Sequence, residues 1–380
     1  MLALIFSLVL HVGTGEHINS ALDSARVAYA AHGERTTIYI APGTYQEELT
    51  VDIPGVHLIN ASKHPSIALR NNGVDCDAQA VRITWYYGHG YQYASMGGTP
   101  NYGGSRTRKW NASVLVTAPD FYAENIIFEN SFNLYVSEKE AQDTLVAIRQ
   151  SNQKIMPVRP KETGSTEVQK KAYRERAAAI SFSTTATNAH LKNCRAVGRQ
   201  DVLYGDQGAS IYWEGGVLQG GVDFIFGAMT LAVNRATIVA NINGEEGDRC
   251  YIAAGRSGSD EKGNQIDSQT RGMLFYKCHI RLANESEIII HNSEITNTQP
   301  VVWLARPWRW WGETVWAYTT WDKGILHPEA WNTGLTKGQQ CPNSYEYRSQ
   351  DGAKSRPAWV HVLTKPILAD GTHISIHNWR

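Results

Sequence analysis

Two aspartates, Asp201 and Asp223, stand in short segments whose mixture of polar and apolar residues suits acid–base or nucleophilic chemistry. The segments read Gly198-Arg-Gln-Asp-Val-Leu-Tyr204 and Gly221-Val-Asp-Phe-Ile-Phe-Gly227. Where two carboxyl groups lie side by side among apolar residues, they cannot both ionise cheaply, so one keeps its proton while the other stays charged. Such a pair supplies one acid and one base or nucleophile. Alternatively, the two aspartates cap turns on the surface of a repetitive fold.

An internal repeat sets the expected distance between these aspartates. Leu191, Ile211 and Leu231 recur at intervals of 20 residues, and each belongs to a short apolar strand followed by a turn and a second strand. A repeat of this length without helical periodicity is typical of parallel strands wound into a coil, one turn per repeat. We therefore predict an all-β fold, a single right-handed parallel β-helix domain over residues 1–380. In it, Asp201 and Asp223 stack on neighbouring turns about 4.8 Å apart.

Three stretches depart from the repeat. Residues 14–31 are predicted to form an amphipathic helix that caps one end of the coil, since an open end would expose apolar core. Its apolar residues fall at helical spacing and are Ile18, Ala21, Leu22, Ala25 and Tyr29. Polar insertions at about 85–110 and 134–176 are predicted to form long loops over the coil, the second with a helix near residues 167–176.

Composition limits the partners that the chain can have. Lys and Arg total 36, as do Asp and Glu, so no overall field favours nucleic acid or an anionic membrane surface. The apolar residues 1–10 are too few to span a bilayer and are either part of a signal sequence or a buried first strand. The cysteines form no CxxC pair and the histidines no ligand-spaced pair beside carboxylates, so we predict no metal and no other cofactor. Cys194 and Cys278 are expected in the core.

A third segment, Leu304-Ala-Arg-Pro-Trp308, adds a cation and an aromatic ring. An arginine held before proline can keep a carboxylate ionised through a bidentate pair, and the tryptophan can stack on a sugar ring. Seven of the twelve tryptophans lie between Trp303 and Trp331, which favours a carbohydrate-facing surface. A packed, tryptophan-rich layer is the alternative.

These three segments resemble, in the same order, the signature segments of pectin methylesterases. Pro42-Gly-Thr-Tyr-Gln-Glu47 is similar to an early β-helix segment of that family, and His327-Pro-Glu-Ala-Trp331 resembles a late one. The resemblance spans roughly residues 14–335. It implies a parallel β-helix esterase that hydrolyses the methyl esters of homogalacturonan, releasing galacturonate and methanol without a metal.

The resemblance also implies a role for each matching residue. Asp223 corresponds to the nucleophile, and Asp201 to the general acid that later acts as a base. Gln200 corresponds to an oxyanion donor, and Arg306 to the residue that keeps the nucleophile charged. The aromatic residues that correspond to substrate contacts in the cleft are Trp308, Tyr204 and Phe226.

One position departs from the family. Pectin methylesterases carry a second glutamine before the first aspartate, whereas the matching stretch here is Arg176-Ala-Ala-Ala-Ile180. Either Arg176 binds the oxyanion or a substrate carboxylate, or its side chain points outward and only ends the charged insertion. Losing an oxyanion donor costs about 10²–10³ in rate.

Two other functions fit a β-helix of this composition. One is a pectate lyase or polygalacturonase, and a lyase would need calcium-binding carboxylates beside a basic catalytic residue. The other is a non-catalytic polygalacturonan-binding protein, which the replacement at Arg176 keeps open. The resemblance further implies a secreted, monomeric protein whose partner is the pectin polysaccharide, with no nucleic-acid or membrane partner.

Overall fold

Parallel strands wound into a coil form most of the computed structural model, which describes residues 7–97, 111–148, 157–266, 270–291, 301–336, 341–349 and 355–379. The strands lie in three parallel sheets, and each complete turn of the coil contributes one strand to each sheet. One turn, for example, runs through Leu203–Gly205, Ser210–Glu214 and Val217–Gly220 before the next begins at Val222. The predicted parallel β-helix is therefore confirmed.

The strands of each sheet follow one another in chain order. The first sheet contains Ser7–Val12, Arg35–Ile40, Val56–Asn60, Tyr122–Glu124, Ala189–Lys192, Ser210–Glu214, Thr230–Asn234, Met273–Tyr276, Thr314–Ala317, Ser344–Tyr347 and His361–Leu363. The second sheet contains Gly43–Gln46, Val81–Trp85, Ile126–Asn130, Arg195–Val197, Val217–Gly220, Thr237–Ala240, His279–Leu282 and Thr320–Trp321. The third sheet contains Leu49–Val51, Val114–Val116, Ile180–Phe182, Leu203–Gly205, Val222–Gly227, Cys250–Gly255 and Val302–Ala305.

The register differs in part from the predicted repeat. Ile211 pairs with Leu231, as the interval of 20 requires, but the earlier partner of Ile211 is Ala189 rather than Leu191. Leu191 pairs with Trp213 instead, so this turn is 22 residues long. A shift of two residues keeps every side chain on the same face of a strand. The alternation of apolar residues therefore predicts the buried face of the strand correctly, although the predicted pairing of Leu191 is wrong by two residues.

Side chains that point inward along all three sheets make a continuous hydrophobic core. Cys194 and Cys278 are buried in it, as predicted, and Phe275 stacks on Trp316 from the next turn with ring centroids 3.9 Å apart. None of the five cysteines, all of which lie in the described part of the chain, forms a disulfide.

A helix covers the core at the N-terminal end of the coil. It spans Ile18–His32 and buries Ile18, Ala21, Leu22 and Ala25, in agreement with the predicted capping helix. Tyr29, which the helical spacing places on the same face, is instead 36% exposed. The first strand, Ser7–Val12, lies at the edge of the first sheet and is only partly buried. No helix in the described residues is long and apolar enough to cross a membrane.

The two insertions pack against each other beside the third sheet, although residues 98–110 and 149–156 lie outside the described residues. Tyr91–Tyr93 of the first pairs antiparallel with Leu145–Ile148 of the second. The second insertion contains a short helix, Glu138–Gln142, capped by Ser137. The helix predicted near residues 167–176 is wrong, because only two isolated 3₁₀ turns form there, at Glu167–Gln169 and Lys171–Tyr173. A small hairpin, Leu69–Arg70 with Asp75–Cys76, completes the described strands.

Candidate active site

A single row of residues from successive coils runs along the outer face of the third sheet. Backbone pairing links Arg176 to Gln200, Gln200 to Val222, Val222 to Tyr251, and Tyr251 to Trp303. The neighbouring residues Cys250 and Ile252 point into the core, so the row faces away from it. This pairing brings the sequence-predicted segments together on adjacent turns, although they are far apart in the chain.

Asp201 and Asp223 follow the paired residues Gln200 and Val222 directly and therefore stack on neighbouring coils, as predicted. Both have left-handed backbones, with φ of 58° and 47°. This region is uncommon for residues other than glycine, and aspartate and asparagine tolerate it best. The side chains are largely withdrawn from solvent, with 5% of Asp201 and 8% of Asp223 exposed.

Arg306 holds Asp223 with a bidentate ion pair. Its Nε donates to Oδ1 and its Nη2 to Oδ2, both at 2.7 Å. The pair joins the turn after Val302–Ala305 to the start of Val222–Gly227. Two parallel charge-assisted hydrogen bonds fix the orientation of the carboxylate as well as its charge.

The two aspartates differ in how readily they ionise. Burial, followed by the negative charge of Asp223, raises the pKa of Asp201 well above its usual value. Burial also raises the pKa of Asp223, but the hydrogen bonds and charge of Arg306 oppose that rise. The surroundings thus oppose ionisation of Asp201, whereas Asp223 has a bidentate cation that favours its charged form.

Gln200 and Arg176 lie on adjacent coils, paired through their backbones, next to the two aspartates. Both side chains are half-buried, and that of Arg176 has 26% of its surface exposed. Its Nε lies 3.4 Å from Oε1 of Glu175. The positive charge of Arg176 lowers the pKa of Asp201, against the dominant effect of burial. Arg176 is therefore close enough to the carboxyl pair to act on it.

Tyr204, Phe226 and Trp308 form one aromatic cluster at the other end of the same strands. Ring centroids of Tyr204 and Phe226 are 4.7 Å apart, and those of Phe226 and Trp308 are 6.1 Å apart. Trp308 is only half-buried, and the guanidinium carbon of Arg256 lies 5.2 Å from its ring centroid. Trp308 is therefore the member of the cluster most accessible to a ligand.

The tryptophan-rich segment is only partly a surface. Trp316, Trp321 and Trp331 are buried in the core and Trp303 is 8% exposed, so the packed-layer alternative describes these four. The remaining tryptophans of the segment are half-buried, and they are Trp308, Trp310 and Trp311.

Sequence reasoning missed a stack of rings behind Arg306. The guanidinium carbon of Arg306 lies 4.0 Å from the ring centroid of Tyr251. Tyr251 stacks on Trp303 with centroids 6.1 Å apart, and Trp303 stacks on His327 at 3.7 Å. The spacing of these residues along the chain is irregular, because the intervening loops differ in length, so no repeat could reveal the stack.

A buried carboxylate, Asp248, was also missed. It contacts Arg174 at 3.2 Å and Arg199 at 3.4 Å. Arg174 in turn acts on Asp223, lowering its pKa after the larger effects of burial and Arg306. Arg199 lies in a recognised motif, which could have signalled a buried partner. Among the described residues, no group of three or more histidine, cysteine or carboxylate side chains is arranged to hold a metal ion.

Comparison with known proteins gives consistent matches. A family model described as pectinesterase matches residues 164–354. Pectinesterase 31 of Arabidopsis thaliana is 25% identical over 338 residues, covering 88% of this chain and 80% of that protein. Probable pectinesterase A of Aspergillus niger is 24% identical over 368 residues, covering 97% of this chain and 84% of that protein.

Solved structures share the fold at low sequence identity. A pectin methylesterase from Yersinia enterocolitica superposes with a TM-score of 0.62 and 19% identity, covering 93% of this chain and 95% of that one. A pectin methylesterase in complex with a hexasaccharide gives a TM-score of 0.61 and 18% identity, covering 95% and 94%.

Proposed function

Since this chain belongs to the pectinesterase family, we propose that it hydrolyses the methyl esters of homogalacturonan by a covalent mechanism that uses two aspartates. It is a carboxylic ester hydrolase, and the lyase, polygalacturonase and non-catalytic alternatives are not favoured. The observation that carries the mechanism is the bidentate pair between Arg306 and Asp223 beside the buried Asp201.

In the first step, a carboxylate oxygen of Asp223 attacks the ester carbonyl carbon. Gln200 donates a hydrogen bond to the oxyanion that forms. The intermediate then collapses, the bond to the methoxy oxygen breaks, and Asp201 gives its proton to the departing methanol. The galacturonate acyl group is left joined to Asp223 as an anhydride.

In the second step, water attacks the acyl carbon of this anhydride. Asp201, now ionised, takes a proton from the water, and Asp223 leaves as a carboxylate. Galacturonic acid is released and loses its proton to solvent, so both aspartates return to their starting states. Arg306 supports both steps because it stabilises the charged form of Asp223.

Substrate contacts are assigned to residues around this pair. Trp308, Tyr204 and Phe226 provide the aromatic surface of the cleft, and Trp308 is the most accessible. Arg176 adds a positive charge next to Gln200, where it binds either the oxyanion or the carboxylate of a neighbouring galacturonate. We also propose that the protein acts outside the cell, since a polymeric wall substrate is found there. We further propose that it acts as a monomer.

Methanol release from methyl-esterified pectin tests this function. The unsubstituted protein is expected to release methanol, and Asp223→Asn and Asp201→Asn should each remove most of that activity while the fold remains. Asp120→Asn is a matched control, because Asp120 has a similar left-handed backbone, with φ of 60°, but pairs with Arg35 rather than with a residue of the site. An inactive unsubstituted protein would refute the function, and near-normal turnover in either active-site variant would refute the role of that aspartate.

A further inference from the structure

An open cavity of about 210 Å³ lies around the corner from the third sheet, apart from the catalytic pair. Its wall begins at Ser257, just after strand Cys250–Gly255 ends. Tyr251 lies beside Arg306 at the start of that strand, and Ser257 is six positions further along the chain. At about 3.3 Å per residue, a fully extended chain would place them at most roughly 20 Å apart. The cavity therefore lies apart from the catalytic pair, beyond Arg256, whose guanidinium contacts the Trp308 ring, and its volume suits one sugar ring.

Polar and aromatic side chains line this cavity in fixed positions. Two aromatic residues, Trp311 and Tyr345, are among the residues that line it. Asn343 is held by its Nδ2, which donates to the Trp311 carbonyl at 2.9 Å. Oε1 of Glu313 accepts from the backbone N–H of Gly272 at 2.8 Å. An aromatic ring beside anchored amide and carboxyl groups can contact both the apolar and the hydroxyl-bearing faces of a sugar.

The charges of the cavity indicate which kind of sugar it accepts. Nη2 of Arg271 lies 2.7 Å from Oδ2 of Asp370 and 3.2 Å from Oε2 of Glu313. The one cation in the described lining is therefore paired with two carboxyl groups. A galacturonate would bring a further negative charge towards Glu313 and Asp370 at an electrostatic cost. An uncharged ring would incur no such cost.

We propose that this cavity binds a neutral pyranose unit, which contacts the ring of Trp311 and hydrogen-bonds through its hydroxyls to Glu313 and Asn343. The proposal rests on the proposed function in one respect, since a pectin substrate supplies such units. They are either methyl-esterified galacturonates of the main chain or uncharged sugars attached to it. Bound there, a second part of the polymer is held near the enzyme while the catalytic pair reacts.

Calorimetric titration of the Asp223→Asn protein tests the proposal without turnover. The probes are short enough to occupy one site at a time: a methyl-esterified digalacturonate, a galactose disaccharide and an unesterified digalacturonate. Each is titrated again after Trp311→Ala is added. Trp310→Ala is the matched control, because Trp310 is adjacent in the chain but does not line the cavity.

We expect Trp311→Ala to weaken the affinity of one class of sites for a neutral probe by about tenfold or more. Trp310→Ala should leave that affinity unchanged. An effect with only the esterified probe identifies a main-chain unit as the ligand, and an effect with only the galactose probe identifies an attached sugar. The proposal is overturned if no neutral probe depends on Trp311, or if the unesterified probe binds this site better. Methanol release by the unsubstituted protein is measured separately, so failure of this proposal and of the esterase function are distinguishable.

Discussion

At the scale of single residues, the surroundings of the two aspartates assign them different tasks. Asp223 receives two hydrogen bonds from Arg306, whereas burial and the neighbouring charge act together against ionisation of Asp201. In the proposed mechanism, the same side chain therefore serves as nucleophile at one position and as acid at the other. Such an arrangement lowers the free energy of unfolding at any pH at which the carboxyl group of Asp201 would be ionised in the unfolded chain, because folding then opposes its ionisation.

The cost leads to a prediction about pH. A carboxyl group whose pKa is raised on folding binds more protons in the native than in the unfolded state, so stability falls as pH rises above the unfolded pKa of about 3.9. Asparagine at this position does not titrate. The free energy of unfolding of Asp201→Asn relative to the unsubstituted protein should therefore increase from pH 4 to pH 7, by about 1.4 kcal/mol for each pH unit over which Asp201 stays protonated only when folded.

Denaturant titration at several pH values measures this difference. Asp120→Asn serves as the control for the chemical change itself, because Asp120 is a partly exposed aspartate that pairs with Arg35 rather than with a second carboxyl group. If the Asp201→Asn difference were constant across the range, the pKa of Asp201 would not be raised in the folded protein.

Arg176 gives a second prediction at this scale. If it supplies the missing oxyanion donor, Arg176→Ala should lower turnover by about 10²–10³, whereas Arg176→Gln, which restores the family residue, should recover most of it. If it binds a substrate carboxylate instead, both variants should chiefly raise KM on partly de-esterified pectin. Steady-state kinetics on highly and partly esterified pectin separates the two roles. Unchanged kinetics in both variants would mean that Arg176 has neither.

The aspartates could be predicted from the sequence because each sits in a short motif. Gln200, Arg306 and Trp308 could be assigned for the same reason. Tyr251 and Asp248 could not, because they reach the site only through pairing between turns whose loops differ in length. Their contribution depends on register, which no local pattern encodes.

At the scale of elements, the strands were easier to predict than the insertions. Alternating apolar residues fix which face of a strand is buried, and that alternation tolerated a two-residue error in the register of Leu191. The segment 167–176 has helical composition but forms two 3₁₀ turns. Gln169 there is buried and donates to the carbonyls of Asn72 and Leu134, so tertiary contacts outweigh local helical propensity.

The ring stack behind Arg306 leads to a prediction about Tyr251. Because the Tyr251 ring faces the guanidinium at 4.0 Å, we expect it to hold Arg306 in the orientation that Asp223 requires. Tyr251→Leu should lower kcat/KM by about tenfold, and the acid limb of its pH profile should move to higher pH, since weaker support from Arg306 raises the pKa of Asp223. Tyr251→Phe retains the ring and should behave like the unsubstituted protein. Equal effects of the two substitutions would show that the ring does not position Arg306.

At the scale of the whole molecule, the coil determines where chemistry can occur. Pairing in the first sheet runs from Ser7–Val12 to His361–Leu363, which supports the single domain over residues 1–380, although that assignment stays a prediction. The repeat made the architecture predictable, because each turn needs its neighbours to bury an apolar face. Functional residues on the outer face of the coil could be predicted only where they lie in a recognised motif.

The end of the coil supplies a final prediction, because a turn there has a neighbour on one side only. The helix Ile18–His32 covers that end, and Leu22 is fully buried in the core beneath it. Leu22→Ala should lower the free energy of unfolding by about 2–5 kcal/mol through lost burial and the cavity left behind. Tyr29→Ala, on the exposed face of the same helix, should change it by less than about 0.5 kcal/mol. Both variants should retain normal methanol release in the absence of denaturant, since the catalytic pair lies several turns away. Equal stability of the two variants in denaturant titration would show that the helix does not protect the end of the core.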